Sequence, residues 1–241
     1  MKTYKIIFII SLFFGSKSYS LNFNLNQIQQ VKENWKDSIT KYNKEIMDKP
    51  SNPDNYYNRA LAHYFLKNDY EAIIDFSKSI ELQSRDVFAY YFRAKVKTRV
   101  NDLRGALFDY NKLLELDKIN NIKSPFLHDV ILCRSDIYLE LGEFKKAIID
   151  LNLFISFKDE KRIYFAYFRR GVVKMKLDDN LGAINDFNKS IELNPFYAGS
   201  YSNRGLAKIM LNRKNEGCLD LSKAGELGYI PAYEIIKRYC N

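Results

Sequence analysis

The chain has 241 residues, of which 46% are hydrophobic and 28% are charged, with only five prolines and ten glycines. This composition excludes a disordered chain and a fibrous protein. The formal net charge of +9 is a moderate basic excess, which by itself identifies no partner.

The first predicted element is a signal peptide at residues 1–20. Two lysines precede an apolar run over residues 6–15, and small residues follow at Ser18 and Ser20. The alternative is an uncleaved anchor, but an apolar run of this length is too short to span a bilayer. We therefore expect an exported protein, periplasmic or secreted, with no transmembrane segment in the mature chain. An exported protein meets little nucleic acid, so no nucleic-acid partner is expected.

Residues 21–52 are predicted to contain a helix that forms a degenerate half-repeat. Tyr42 lies 34 residues before Phe76, the same interval that separates later units of the chain. We expect this helix to cover the first hairpin, with the single tryptophan, Trp35, anchoring it in the core.

Five predicted helical hairpins follow, each marked by two small residues twelve positions apart. The pairs are Ala60 and Ala72, Ala94 and Ala106, Ser135 and Ala147, Gly171 and Ala183, and Gly205 and Gly217. Successive pairs lie 34, 41, 36 and 34 residues apart, a period typical of stacked helix-turn-helix units. One small residue per helix lets the two backbones approach closely. The pattern predicts an all-α protein that stacks hairpin on hairpin.

When the five units are aligned on their small residues, they resemble the tetratricopeptide repeat family. The pattern of that family places large, small and aromatic residues at fixed positions of each hairpin. The best match is residues 164–195, with Tyr167, Gly171, Ala183 and Phe187 in place. The resemblance implies a right-handed α-solenoid. Its five repeats are expected at 53–86, 87–120, 128–161, 164–197 and 198–230. The closing segment resembles the ends of exported bacterial members of this family.

The last predicted element is a capping helix at residues 231–241. Cys218 and Cys240 are centred on the turn before this helix, so an antiparallel helix pair can bring them together. Because export leads to an oxidising compartment, we expect a disulfide between them. The alternative is two reduced cysteines that pack as small apolar groups.

Arginine and aspartate recur sixteen positions apart in every unit. The pairs are Arg59 and Asp75, Arg93 and Asp109, Arg134 and Asp150, Arg170 and Asp186, and Arg204 and Asp220. The two positions are equidistant from the hairpin turn, so antiparallel helices bring them to the same height. We predict a ladder of structural ion pairs, because the guanidinium fork fits a carboxylate. The alternative is a row of arginines that binds acidic partners. Alternating lysines, such as Lys97 and Lys174, are predicted to lie on a solvated helix face.

The resemblance also implies that five positions of each first helix face a concave groove. The groove residues expected at these positions are Tyr57, Leu61, Tyr64, Phe88, Tyr91, Phe92, Leu132, Phe165, Phe168 and Val172. Tyr57, Tyr91 and Phe168 are the leading anchors for a partner. Aromatic residues also fill helix packing, so each of them fits either groove contact or core.

No catalytic, metal or cofactor site is predicted. His63 and His128 have no companions at metal-ligand or catalytic spacing, and they are expected to be packing residues. The chain has no CxxC pair, phosphate-binding glycine loop or nucleophile motif. We therefore predict a non-enzymatic scaffold that binds a peptide or protein segment in its groove, in the bacterial envelope. The alternative is a structural or assembly subunit that uses its convex face or its ends.

Overall fold

The computed structural model describes residues 25–83, 86–120, 125–158 and 161–240. The predicted signal peptide lies outside these residues. The described part contains twelve helices and no strand. In chain order they are α1 (Leu25–Asp48), α2 (Pro53–Leu66), α3 (Asp69–Leu82), α4 (Val87–Arg99), α5 (Leu103–Asn120), α6 (Leu127–Glu140), α7 (Phe144–Ser156), α8 (Ile163–Lys176), α9 (Asn180–Leu193), α10 (Ala198–Met210), α11 (Lys214–Glu226) and α12 (Pro231–Tyr239).

Consecutive helices from α2 to α11 pair as five antiparallel hairpins, and each hairpin packs on the next. Helix α1 packs on α2 at one end, where Trp35 stacks on Phe65 with ring centroids 4.6 Å apart. Helix α12 packs on α11 at the other end. The result is the right-handed α-solenoid that the sequence predicts. Among the described helices, none is both long enough and apolar enough to cross a membrane.

Each hairpin turn is made by one residue in the left-handed region of backbone space. These residues are Lys67, Asn101, Gly142, Asp178 and Asn212, with φ angles between 60° and 73°. A left-handed residue after a helix reverses the chain and satisfies the last free carbonyl groups. After the turn, Asp102 and Asp179 cap the second helices through bonds from the backbone N–H groups of Gly105 and Gly182.

The small residues lie where the two helices of a hairpin cross. The alanines of these pairs are fully buried. The approach is closest in the fifth hairpin, where a Cβ added to Gly217 would lie 2.6 Å from the carbonyl oxygen of Gly205. The fifth hairpin is therefore the one in which both positions require glycine.

Gly217→Ala is expected to lower the free energy of unfolding by about 1–2 kcal/mol. Overpacking costs about 2–3 kcal/mol where, as here, the contacted atom belongs to the backbone and cannot move aside, and the higher helix propensity of alanine offsets about 1 kcal/mol of this. Urea denaturation monitored by circular dichroism measures the change. The control is Asn215→Ala, an exposed position on the same helix, where we expect a change within about 0.5 kcal/mol. Equal stability of the two variants would contradict the close backbone approach.

Candidate functional site

The first helices of the first four hairpins, α2, α4, α6 and α8, carry the predicted groove residues. Five of these residues are core residues, only 4–7% exposed: Leu61, Tyr64, Tyr91, Phe92 and Leu132. The prediction that these five side chains are exposed in an open groove is wrong. The prediction that Tyr91 is an accessible anchor for a partner is wrong for the same reason.

The physical reason is that aromatic rings of the first two repeats cover one another. The Phe92 ring lies 5.1 Å from Tyr91, 5.4 Å from Tyr64 and 6.1 Å from Phe76, measured between centroids. Tyr57 adds an edge contact to Phe92 at 6.4 Å. Rings at these separations attract one another beyond their burial, so this end of the groove is largely filled.

The other five predicted groove residues are half-buried: Tyr57, Phe88, Phe165, Phe168 and Val172. Phe165, Phe168, Val172 and Tyr197 form what we call the Phe168 patch. Phe168 lies 6.0 Å from Phe165 and 5.0 Å from Tyr197, between centroids. The guanidinium of Arg169 lies 4.3 Å above the Phe165 ring. The patch therefore combines accessible aromatic surface with a cation.

A charged network that we did not predict lies between α4, α6 and α8. The Asp129 carboxylate accepts a hydrogen bond from the Tyr91 hydroxyl, and it pairs with Lys95 at 3.3 Å and Arg162 at 3.6 Å. A second ion pair joins Arg169 to Asp136.

The sequence held a signal for this network. Lys95, Asp129, Asp136 and Arg169 occupy the same five positions of the first helix from which the aromatic residues were selected. A groove predicted from the apolar residues alone leaves out these four charged side chains.

Burial and charge set the protonation of this network. Burial raises the pKa of the Tyr91 phenol well above its usual range, and neighbouring Asp129 raises it further. Burial lowers the pKa of Lys95, but the combined attraction of Asp129, Cys133 and Tyr64 outweighs this effect and the pKa is raised. Burial likewise raises the pKa of the Cys133 thiol and lowers the pKa of Arg169. Tyr91 is therefore a neutral donor to Asp129, and Cys133 is an unreactive thiol.

The five Arg–Asp pairs all form two-point contacts within their own hairpins. In each, the arginine Nε and one Nη bond the two carboxylate oxygens, with Nη–O distances of 2.5–2.6 Å. The other Nη reaches back to the preceding unit. There it donates to Asn43, Ser77, Asn111, Asn152 or Asn188 at 2.6–2.9 Å. Each arginine thus joins three helices, and the ladder links neighbouring hairpins.

Some of the predicted solvated lysines belong to this ladder instead. Lys97, Lys174 and Lys208 each place Nζ 2.8 Å from the buried aspartate of their own hairpin. The prediction of a solvated face is wrong for Lys97 and Lys174, because a buried carboxylate attracts a second cation. In the first repeat the same position is His63, whose pKa burial lowers.

Cys218 and Cys240 form a disulfide that joins α11 to the end of α12, with Cα atoms 5.9 Å apart. Cys133 is a free thiol. His63 lies 3.2 Å from the amide of Asn68, and His128 stacks on Phe157 at 4.5 Å between centroids. Within the described residues, no group of three or more histidine, cysteine, aspartate or glutamate side chains could hold a metal ion.

Residues 53–86 and 166–197 match the family model described as tetratricopeptide repeat. The first and fourth hairpins therefore match the tetratricopeptide repeat. The mitochondrial import receptor subunit TOM70 of Homo sapiens is 29% identical over 118 residues, which cover 48% of this chain and 19% of the receptor. A TPR repeat-containing protein of Methanocaldococcus jannaschii, MJ1428, is 36% identical over 115 residues, 48% of this chain and 18% of that protein. The chain thus spans less than a fifth of the length of these relatives.

Solved structures of tetratricopeptide repeat proteins share the fold. YrrB, described as a TPR protein with an unusual peptide-binding site, superposes with a TM-score of 0.66 at 19% identity, covering 81% of this chain and 97% of YrrB. A tetratricopeptide repeat protein of Parabacteroides merdae ATCC 43184 gives 0.54 at 22% identity, covering 93% and 86%. The predicted solenoid fold is confirmed. Tetratricopeptide repeats serve as protein-interaction scaffolds, and this fold is typically non-enzymatic.

Proposed function

We propose that the chain is an exported scaffold that holds an extended segment of a partner protein against its concave face. The observation that carries the proposal is the Phe168 patch, where Phe165 and Phe168 on the inner helix α8 stay half-buried beside Arg169. The few residues that dominate the binding energy of a protein interface are enriched in large aromatic and arginine side chains. An extended segment with apolar side chains suits such a surface.

Two further observations support the proposal. YrrB, which has the same fold, has a peptide-binding site. The disulfide between Cys218 and Cys240 suits an oxidising compartment, and the signal-peptide pattern of residues 1–20 suits export to the bacterial envelope.

Binding to a phage-displayed library of random linear peptides tests the proposal. Peptides selected on the native chain should carry aromatic or large aliphatic anchors. Phe168→Ala should weaken their binding about tenfold or more, because truncating a central anchor costs about 2 kcal/mol or more and about 1.4 kcal/mol is tenfold in affinity. The affinities are measured by fluorescence polarisation with the selected peptides.

Phe108→Ala is the matched control, since Phe108 lies on the outer helix α5 and is 63% exposed. Affinity for the selected peptides should not change in this variant. Binding that survives Phe168→Ala and is lost in Phe108→Ala would overturn the concave site.

One feature of the outer helices favours the second candidate function, a structural subunit that assembles through its convex face. Four hairpins expose a large apolar side chain two residues after the small residue of the second helix. These side chains, Ile74, Phe108, Ile149 and Leu219, are 63–73% exposed. A cleft of about 350 Å³ beside Phe108, lined also by Leu107 and Leu141, interrupts this row. A regular row of exposed apolar side chains offers apolar contact area to a partner along the convex face.

A further inference from the structure

The aromatic cluster of the second repeat is covered by a residue from outside the hairpins. Phe126 lies immediately before α6, at the end of the long connection between the second and third repeats. Its ring stacks on Tyr91, with centroids 4.0 Å apart and planes within 6°. It also meets Phe88 edge-on at 5.2 Å and Phe92 at 6.0 Å. We call Phe88, Tyr91 and Phe92 the Tyr91 subsite.

The repeat register does not require this contact. Phe126 lies nine residues before the small residue Ser135, and Phe196 lies nine residues before the equivalent Gly205. Phe196 is 81% exposed, whereas Phe126 is packed against the Tyr91 subsite. The spacing of 41 residues between Ala94 and Ser135, compared with 34 or 36 between the other successive pairs, supplies the extra chain. The inward position of Phe126 is thus a property of this one connection.

The Tyr91 subsite has the composition of a binding site for an aromatic side chain. Its floor is apolar, and the Tyr91 hydroxyl bonds the Asp129 carboxylate at its edge. Lys95 and Arg162 surround the same carboxylate. Charged groups beside an aromatic floor orient the polar main chain on either side of an inserted ring.

We propose that Phe126 occupies the Tyr91 subsite in the free protein and that an aromatic side chain of the partner replaces it on binding. This inference rests on the proposed function, because it assigns a second subsite in the same concave groove. One ring leaves and another enters, so the buried area is nearly conserved. A tethered occupant competes at an effective concentration of the order of millimolar, and it therefore weakens the apparent affinity of the partner.

The test uses a fluorescein-labelled peptide of sequence Lys-Ser-Pro-Phe-Leu, which copies residues 123–127. Phe126→Ala should bind this peptide at least about tenfold more tightly than the native chain, because the tethered competitor is gone. A peptide with alanine in place of phenylalanine should bind to neither protein. Phe196→Ala, the exposed phenylalanine of the same register, is the control and should bind as the native chain does.

Far-UV circular dichroism shows whether Phe126→Ala is folded. If it is not, Phe126→Leu keeps an apolar side chain while removing the ring stack, and it should bind the peptide more tightly than the native chain. Equal affinity of the folded variant and the native chain would overturn the inference.

Peptides selected for the Phe168 patch separate this failure from failure of the proposed function. They should bind the native chain and the Phe126 variants equally. If the selected peptides bind the native chain but the Lys-Ser-Pro-Phe-Leu peptide binds none of the proteins, only the inference that Phe126 is a competitor is wrong. If no peptide binds in either experiment, the concave binding function itself is overturned.

Discussion

Asp109→Ala is expected to lower the free energy of unfolding by about 3–5 kcal/mol, the largest change that we predict. The Asp109 side chain is fully buried and accepts bonds from Arg93 Nε at 2.8 Å and Arg93 Nη2 at 2.6 Å. Lys97 Nζ lies 2.8 Å from Oδ2, the oxygen that also accepts from Arg93 Nε. Removing the carboxylate leaves two cations facing each other with little solvent to screen them. Urea denaturation at neutral pH measures the loss.

Glu115→Ala on the same helix is the matched control. Glu115 pairs with Lys112 at 3.0 Å, but both side chains reach solvent. Exposed pairs contribute little, so we expect a change within about 1 kcal/mol. If Asp109→Ala cost no more than Glu115→Ala, the ladder would not be a structural device, and arginines available to an acidic partner would become the better interpretation.

The ladder was visible in the sequence because the hairpin geometry fixes which positions meet. Positions sixteen apart flank one turn symmetrically, so Arg93 and Asp109 must face each other once the turn is placed. The bridge to the preceding unit uses Ser77, sixteen residues before Arg93, and the same spacing places Asn188 before Arg204. This sixteen-residue spacing can also be read from the sequence. An amide or hydroxyl group has many possible hydrogen-bond partners, however, so the spacing alone does not identify the partner.

The sequence predicted which side of each first helix faces the groove. It did not predict how exposed the side chains on that side are. Helical periodicity places Tyr91 on the inner side of α4, but periodicity says nothing about what lies over that side. Phe126 covers it from 35 residues further along the chain, through a connection that departs from the repeat period. Phe168 stays half-buried in the same register, and its neighbour Tyr197 contacts it edge-on rather than by stacking face to face. Local spacing cannot distinguish these two outcomes.

Replacing Cys218 and Cys240 together with alanine is expected to remove about 3 kcal/mol of the stability that holds α12 on α11. The disulfide closes a loop with a sequence separation of 22. Without the disulfide, the unfolded form of this segment gains conformational entropy, and the folded form becomes less stable relative to it. Helix α12 has only nine residues, and a helix of this length is not stable by itself in water. Ala232 is buried and the Tyr233 ring lies over Gly225, so packing alone must then retain it.

Hydrogen exchange measures this change where it occurs. Because each unit of a solenoid contacts its neighbours only, the amides of α12 should exchange about a hundredfold faster in the variant, while the amides of α4 and α5 should not change. Reduction of the native chain should give the same exchange pattern, and reductant should leave the variant unaffected. If the native chain showed no change on reduction, the helix would be held by its packing. In that case the covering of the terminal repeat would not depend on an oxidising compartment.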